Sequence, residues 1–233
     1  MGDIKNTVNE WCKNPTTATV KYGHISKWKT SLVTNMKELF KDKKDFNDDI
    51  SKWNVSNVTD MSSMFNCYDE NENEYEQEPI FNGDISGWDV SSVTNMSCMF
   101  YSTSFNGDIS GWNVSSVTNM GGIFSNTPFN GDISGWNVSK VTTMEAMFQN
   151  AVSFNGDISR WNVSSVTSMS SMFQASTFNG DISGWDVSSV TDMSNMFYHS
   201  PFNGDISRWN VSSVTSMQYM FSNCPIAEEH KCV

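Results

Sequence analysis

Two rows of polar residues carry whatever chemistry this sequence can do. The first is a set of aspartates, Asp49, Asp84, Asp108, Asp132, Asp157, Asp181 and Asp205, which stand just after a recurring Asn-Gly corner in all but the first case. Carboxylate oxygens suit calcium, so Asp84, Asp108, Asp132, Asp157, Asp181 and Asp205 are candidate cation ligands. Aspartate at a corner also accepts backbone N–H bonds and so caps the turn. The second row is Thr34, Thr59, Thr94, Thr118, Thr142, Thr167, Thr191 and Thr215, with Ser92, Ser116, Ser165, Ser189 and Ser213 two residues ahead of their threonines. Residues two apart on an extended segment face the same way, so the hydroxyls form two parallel ranks. Thr94, Thr118, Thr142, Thr167, Thr191 and Thr215 with those serines are therefore a candidate binding surface. A flat, regular hydroxyl array can match ice, whereas the plainer reading is a β-former bonding to its neighbours. Leu32, Asn57 and Lys140 interrupt the serine rank, and Lys140 does so in mid-array.

Other chemistry is sparse. His24, His199 and His230 share no local motif with a recurring nucleophile or carboxylate. The five cysteines, Cys12, Cys67, Cys98, Cys224 and Cys232, show no CxxC, and Cys224 and Cys232 can join in a C-terminal loop. No Walker loop, zinc spacing or dinucleotide fingerprint is present. A repeated row spreads its chemistry evenly, while catalysis needs one irregular site. The expectation is a non-enzyme with no cofactor other than calcium. A further acidic run, Asp69, Glu70, Glu72, Glu74, Glu76 and Glu78, reads as a solvated loop or a calcium-capturing one.

Net charge is −12, which argues against nucleic acid as a partner. Residues 1–52 hold ten Lys and Arg against seven acids, so the acidic surface belongs to the remainder. No apolar run is long enough to cross a membrane as a helix. No secretory leader is visible, and Asn6 stands where a myristoylation signal needs Ser or Thr.

The elements that position these rows follow from one ruler. Trp28, Trp53, Trp88, Trp112, Trp136, Trp161, Trp185 and Trp209 recur at spacings of 24 or 25, with one of 35. In one unit the apolar positions are Phe105, Ile109, Trp112, Val114, Val117, Met120, Ile123 and Phe124, and nearly every unit repeats them. A single unit cannot bury such a set, but stacked units can. This explains 15 Met and 15 Phe beside only two Leu, Leu32 and Leu39. One Met ladder is Met36, Met61, Met96, Met120, Met144, Met169, Met193 and Met217, and stacking makes it core.

Trp112-Asn113-Val114 and Ser116-Val117-Thr118 predict short strands. Met120, Ile123 and Phe124 fit one helical turn. The fold class expected is a leucine-rich-repeat-like parallel β-solenoid of about eight coils, each with short strands and a helical turn. At about 4.8 Å per coil it is about 40 Å long. Ile4, Val8, Trp11 and Cys12 predict an amphipathic capping helix over 3–13, ended at Asn14-Pro15. The expected organisation is a capping helix and linker over 1–20, repeats over 21–225 with an acidic insertion at about 67–79, and a tail over 226–233.

The pattern Asp-Ile-Ser-x-Trp-x-Val-Ser-x-Val-Thr-x-Met-x-x-Met-Phe, over residues 21–224, resembles the BspA-like leucine-rich-repeat surface proteins, whose unit is also called the mycoplasma lipoprotein-associated repeat. The resemblance implies a solenoid on a cell or particle surface, linked to adhesion and without catalytic residues. It points to a secreted, cell-surface or virion-associated scaffold for a protein or glycan partner. Specificity can be written at the seventh position of each unit: Lys27, Lys52, Gly87, Gly111, Gly135, Arg160, Gly184 and Arg208. Ice binding through the Ser/Thr ranks is the alternative.

Overall fold

The computed structural model describes residues 3–67 and 79–232. The insertion expected at about 67–79 therefore falls, except for Cys67 and Pro79, outside the described residues, and so does its calcium reading. In the rest, each repeat unit lies directly on the next as one layer. Single parallel bridges link Asn35, Asp60, Asn95, Asn119, Thr143, Ser168, Asp192 and Ser216 in succession. Like residues stack on like. Phe124 faces Phe100 at 6.0 Å and Phe148 at 5.8 Å, and within its own layer it meets Phe129 at 4.0 Å. From Trp53 onward, each ladder indole reaches back to an isoleucine carbonyl of the preceding layer. Trp136 Nε1 to the Ile109 carbonyl, at 3.2 Å, is typical. The interior of one layer is thus completed only by its neighbours.

Two local expectations change. Trp-Asn-Val and Ser-Val-Thr form no strands; each layer contributes one bridge residue, directly after the ladder threonine. The helical turn at Met-x-x-Met-Phe is replaced by tight turns. Ile123 N–H bonds to the Met120 carbonyl and Ser125 N–H to that of Gly122. Between them, alternate N–H groups leave the layer. Met120, Gly122, Phe124 and Asn126 donate forward to Thr143, Glu145, Met147 and Gln149.

This wall uses left-handed backbone twice in most layers, as at Gly122 and Asn126 (φ 62° and 55°) or Ala146 and Asn150 (52° and 54°). Left-handed backbone costs a non-glycine residue about 1–2 kcal/mol. Each of these residues donates its own N–H to the following layer, which offsets that cost. A periodicity of three and four cannot distinguish this arrangement from a helical turn, because both place Met120, Ile123 and Phe124 on one side.

One end is closed by helices. Helix α1 spans Ile4–Lys13 and buries Thr7, Val8 and Trp11, with Asp3 accepting the Lys5 N–H as its N-cap. The linker expected up to residue 20 is helical instead: α2 spans Pro15–Tyr22. Asn14 ends α1 and starts α2, accepting the Thr17 N–H on its side-chain oxygen at 3.0 Å. Pro15 sits in the first turn of α2, where no N–H is needed.

Candidate functional site

Corner aspartates, ladder threonines and seventh positions come to three separate surface rows. At the corners, each ladder Asp places Oδ1 against the serine two residues on. Asp84 accepts the Ser86 N–H at 3.0 Å and its hydroxyl at 2.7 Å; Asp108, with Ser110, does the same at 3.0 and 2.7 Å. Asp132, Asp157, Asp181 and Asp205 accept the N–H of Ser134, Ser159, Ser183 and Ser207 at 2.9–3.0 Å, and Asp181 also accepts the Ser183 hydroxyl at 2.7 Å. Among the described residues no three His, Cys, Asp or Glu converge as a metal centre requires. The candidate cation ligands therefore stand one per corner, each capping its own turn.

These bonds hold the carboxyls below the ordinary range. The serine hydroxyl is the larger cause for Asp49 and Asp84; the serine N–H is for Asp108, Asp132, Asp157, Asp181 and Asp205. Repulsion between successive layers works the other way, with Asp108 and Asp157 raising Asp132. A depressed native value means stability that is present above the unfolded value of about 3.9 and is lost as pH falls through the native one. Thermal midpoints are thus expected to hold from neutrality to about pH 4 and then fall. Asp132→Asn, which keeps an acceptor, should weaken that acid dependence. A midpoint that rises in acid would contradict this assignment.

On the threonine face, each ladder residue reaches back to its predecessor. Thr118 gives both its N–H (2.8 Å) and its hydroxyl (3.1 Å) to the Thr94 carbonyl. The pattern continues through Thr142, Thr167, Thr191 and Thr215. All six of the candidate threonines from Thr94 to Thr215 are exposed. The serine rank is less even. Ser92 and Ser116 are half-buried, while Ser165, Ser189 and Ser213 are exposed, as is Lys140 among them. Ser92 and Ser165 turn their hydroxyls inward to the Ser56 and Ser139 carbonyls.

The remaining reactive groups stay scattered. His24 Nδ1 lies 2.9 Å from Ser26 Oγ, but among the described residues no carboxylate bonds the ring's other nitrogen. His199 meets Asn223. No disulfide joins Cys224 to Cys232; both are thiols, and Cys224 donates to the Phe202 carbonyl at 3.1 Å. Burial pushes the Cys12 thiol up to about 11, with Asp48 adding to it, which is opposite to the shift a nucleophile needs. Cys98, Cys224 and Cys232 are raised by burial too.

Sequence reading misses one structural row. Asn106 passes its N–H to the Asn82 side-chain oxygen at 2.8 Å, and Asn130 to that of Asn106 at 2.9 Å. The signal was the Asn of every Asn-Gly corner, read there only as a turn former. The seventh positions, by contrast, are exposed in every unit. Added Cβ atoms at Gly87, Gly111, Gly135 and Gly184 meet nothing within 4 Å.

Residues 11–130 and 124–231 match a family model described as "Mycoplasma protein of unknown function, DUF285". No curated protein and no solved structure matches the chain.

Proposed function

The chain belongs to that family, and on this premise we propose that it is a leucine-rich-repeat-like parallel β-solenoid of the BspA-like type that serves as a non-enzymatic binding scaffold. Its setting is a cell or virion surface, and its partner a protein or a glycan. The observation that carries this reading is the row of seventh positions. It is the place in the repeat where Lys, Arg and Gly interchange, and its side chains point into open space. A rigid stack with a variable row that is exposed in every unit can change ligand without changing its interior.

Two glycines measure that freedom. Gly131→Ala would bring its Cβ to 2.9 Å from Phe129 Cε2 and Cζ. That ring is fully buried against Phe124. The expected cost is about 1–3 kcal/mol. Gly135→Ala meets nothing, and should be neutral or stabilise by about 0.4–1 kcal/mol through the unfolded chain. Paired urea titrations check both; equal losses would place the seventh position inside the packing.

The functional test uses arrayed glycans and surface extracts of the native source. A partner retained by the natural chain should be lost on Gly111→Arg with Gly135→Arg, and kept on Glu145→Lys, which lies on another wall. A free monomer that holds neither protein nor glycan removes this reading.

Ice binding through the threonine row is the second reading. It is favoured by six successive exposed threonines in parallel register, and opposed by the exposed Lys140 in the adjoining rank. Thermal hysteresis that disappears on Thr118→Tyr would promote it. None at high protein concentration ends it.

A further inference from the structure

The two ends of the stack are finished differently. Residues 224–232 fold back over half of the last layer. Ile226 is buried there, the His230 carbonyl accepts the Ile206 N–H at 2.9 Å, and Phe202, Ile206 and Trp209 are covered. The other half is left open. Val187, Val190, Met193 and Phe197 are fully shielded by the layer after them, whereas Val211, Val214, Met217 and Phe221 are only partly covered and Tyr219 is 59% exposed.

The backbone of this half has a definite polarity. In every earlier layer the N–H groups at these positions point forward: Met193, Asn195, Phe197 and His199 donate to Ser216, Gln218, Met220 and Ser222. The equivalent N–H groups of Met217, Tyr219, Phe221 and Asn223 meet no acceptor among the described residues. Beside them the Thr215 carbonyl points the same way, toward where a following threonine would give its N–H and hydroxyl, as Thr215 does to Thr191. Four aligned donors, one acceptor and an apolar strip form a template.

We propose that this open half-layer is a docking edge for the matching half of a repeat unit, Val-Ser-x-Val-Thr-x-Met-x-x-Met-Phe, carried by a different polypeptide. That segment supplies carbonyls at alternate residues to the four N–H groups, a threonine to the Thr215 carbonyl, and Val, Met and Phe to cover the strip. It is strand addition to an unprotected edge, in the left- and right-handed backbone of this wall. A second copy does not fit. Two such ends face to face set donors against donors, and the opposite end is closed by α1, which buries Val8 and Trp11 and ties Lys5 to Glu38. The proposal goes beyond the binding reading, since it concerns the end of the stack and not its long faces, and its failure leaves that reading intact.

The test is amide hydrogen exchange on the full chain with a synthetic peptide of residues 114–126 as probe. Binding is expected to be weak, with Kd on the order of 0.1 mM, because the peptide orders as it docks. At saturation, exchange of the Met217, Tyr219, Phe221 and Asn223 amides should slow at least about tenfold, as stable backbone bonds require. A scrambled peptide should give no protection. Val214→Lys should abolish the effect while the amides of Met169 to Phe197 stay protected, and Tyr219→Asp serves if Val214→Lys does not fold. The proposal is overturned by no protection at about 1 mM peptide, by equal protection from the scrambled peptide, or by protection in concentrated protein alone with a doubled mass, which would make the occupant a second copy.

Discussion

Trp136→Ala is expected to lower stability by about 3–5 kcal/mol, the range for a large aromatic removed from a core that cannot collapse. The indole is 3% exposed and lies 6.1 Å from the Phe124 ring. Its layer is held from both sides, so neither neighbour can move in without breaking its own bonds. Met120, Gly122 and Phe124 donate forward into it, and Met144, Ala146 and Phe148 donate onward from it. The loss is polar as well. Without Nε1 the Ile109 carbonyl loses its indole donor but keeps the Trp112 N–H at 3.1 Å, so the lost hydrogen bond accounts for only about 0.5–1.5 kcal/mol of that total. Urea titration should show a lower midpoint. The slope should also fall if the stack breaks into two halves at this layer, since a repeat array is coupled only through adjacent layers. A change below about 1 kcal/mol would mean that the ladder tryptophans do not hold the layers together. Lys140→Ala, an exposed change in the same unit, should stay within about 0.5 kcal/mol and is the control.

Which parts of this molecule were legible in the sequence depends on what each signal encodes. Burial was legible. A tryptophan, methionine or phenylalanine at constant phase has to sit on its counterpart, and every ladder Trp from Trp28 to Trp209 is buried. The capping helix was legible because Ile4, Val8 and Trp11 share a face, and the start differs from expectation by one residue. Helix α2 was not. Thr16, Thr17, Thr19 and Val20 are poor helix formers, and Pro15 was read as a stop when it is also a favoured first residue. The wall from Met120 to Asn126 was not legible either. Apolar spacing records which side a residue faces and says nothing of the sign of φ, and Ala146 or Ser171 gives no hint of left-handed backbone. As for the candidate sites, residue type located the aspartate and threonine rows. It did not reveal that each Oδ1 faces a serine two residues on, nor that each threonine hydroxyl bonds the preceding layer. At the other end the sequence was read as a tail over 226–233, and residues 224–232 leave Val214, Met217 and Phe221 partly uncovered.

Val8→Asp should be the most damaging change outside the repeats, because it puts a carboxylate into the apolar core at a position of zero exposure. An uncompensated buried charge costs about 3–5 kcal/mol, but here the protein has a cheaper response: α1 can leave the end of the stack. The penalty then equals the free energy that docks α1, through Val8, Trp11, the Trp11 bond to Asp48 at 2.7 Å and the edge contact of Trp11 with Trp28 at 5.8 Å. Trp28 and the first layer would be left facing water. Adjacent coupling predicts where the damage stops. The amides of Met36, Glu38 and Phe40, which donate to Asp60, Ser62 and Met64, should lose hydrogen-exchange protection first. Those of Met193, Asn195 and Phe197 should keep theirs, since five layers stand between. Trp136→Ala has no such escape, because a central layer cannot detach. Equal loss of protection at both ends of the Val8→Asp protein would show that the stack opens as one cooperative body, and that α1 is part of its folding unit and not a lid on it.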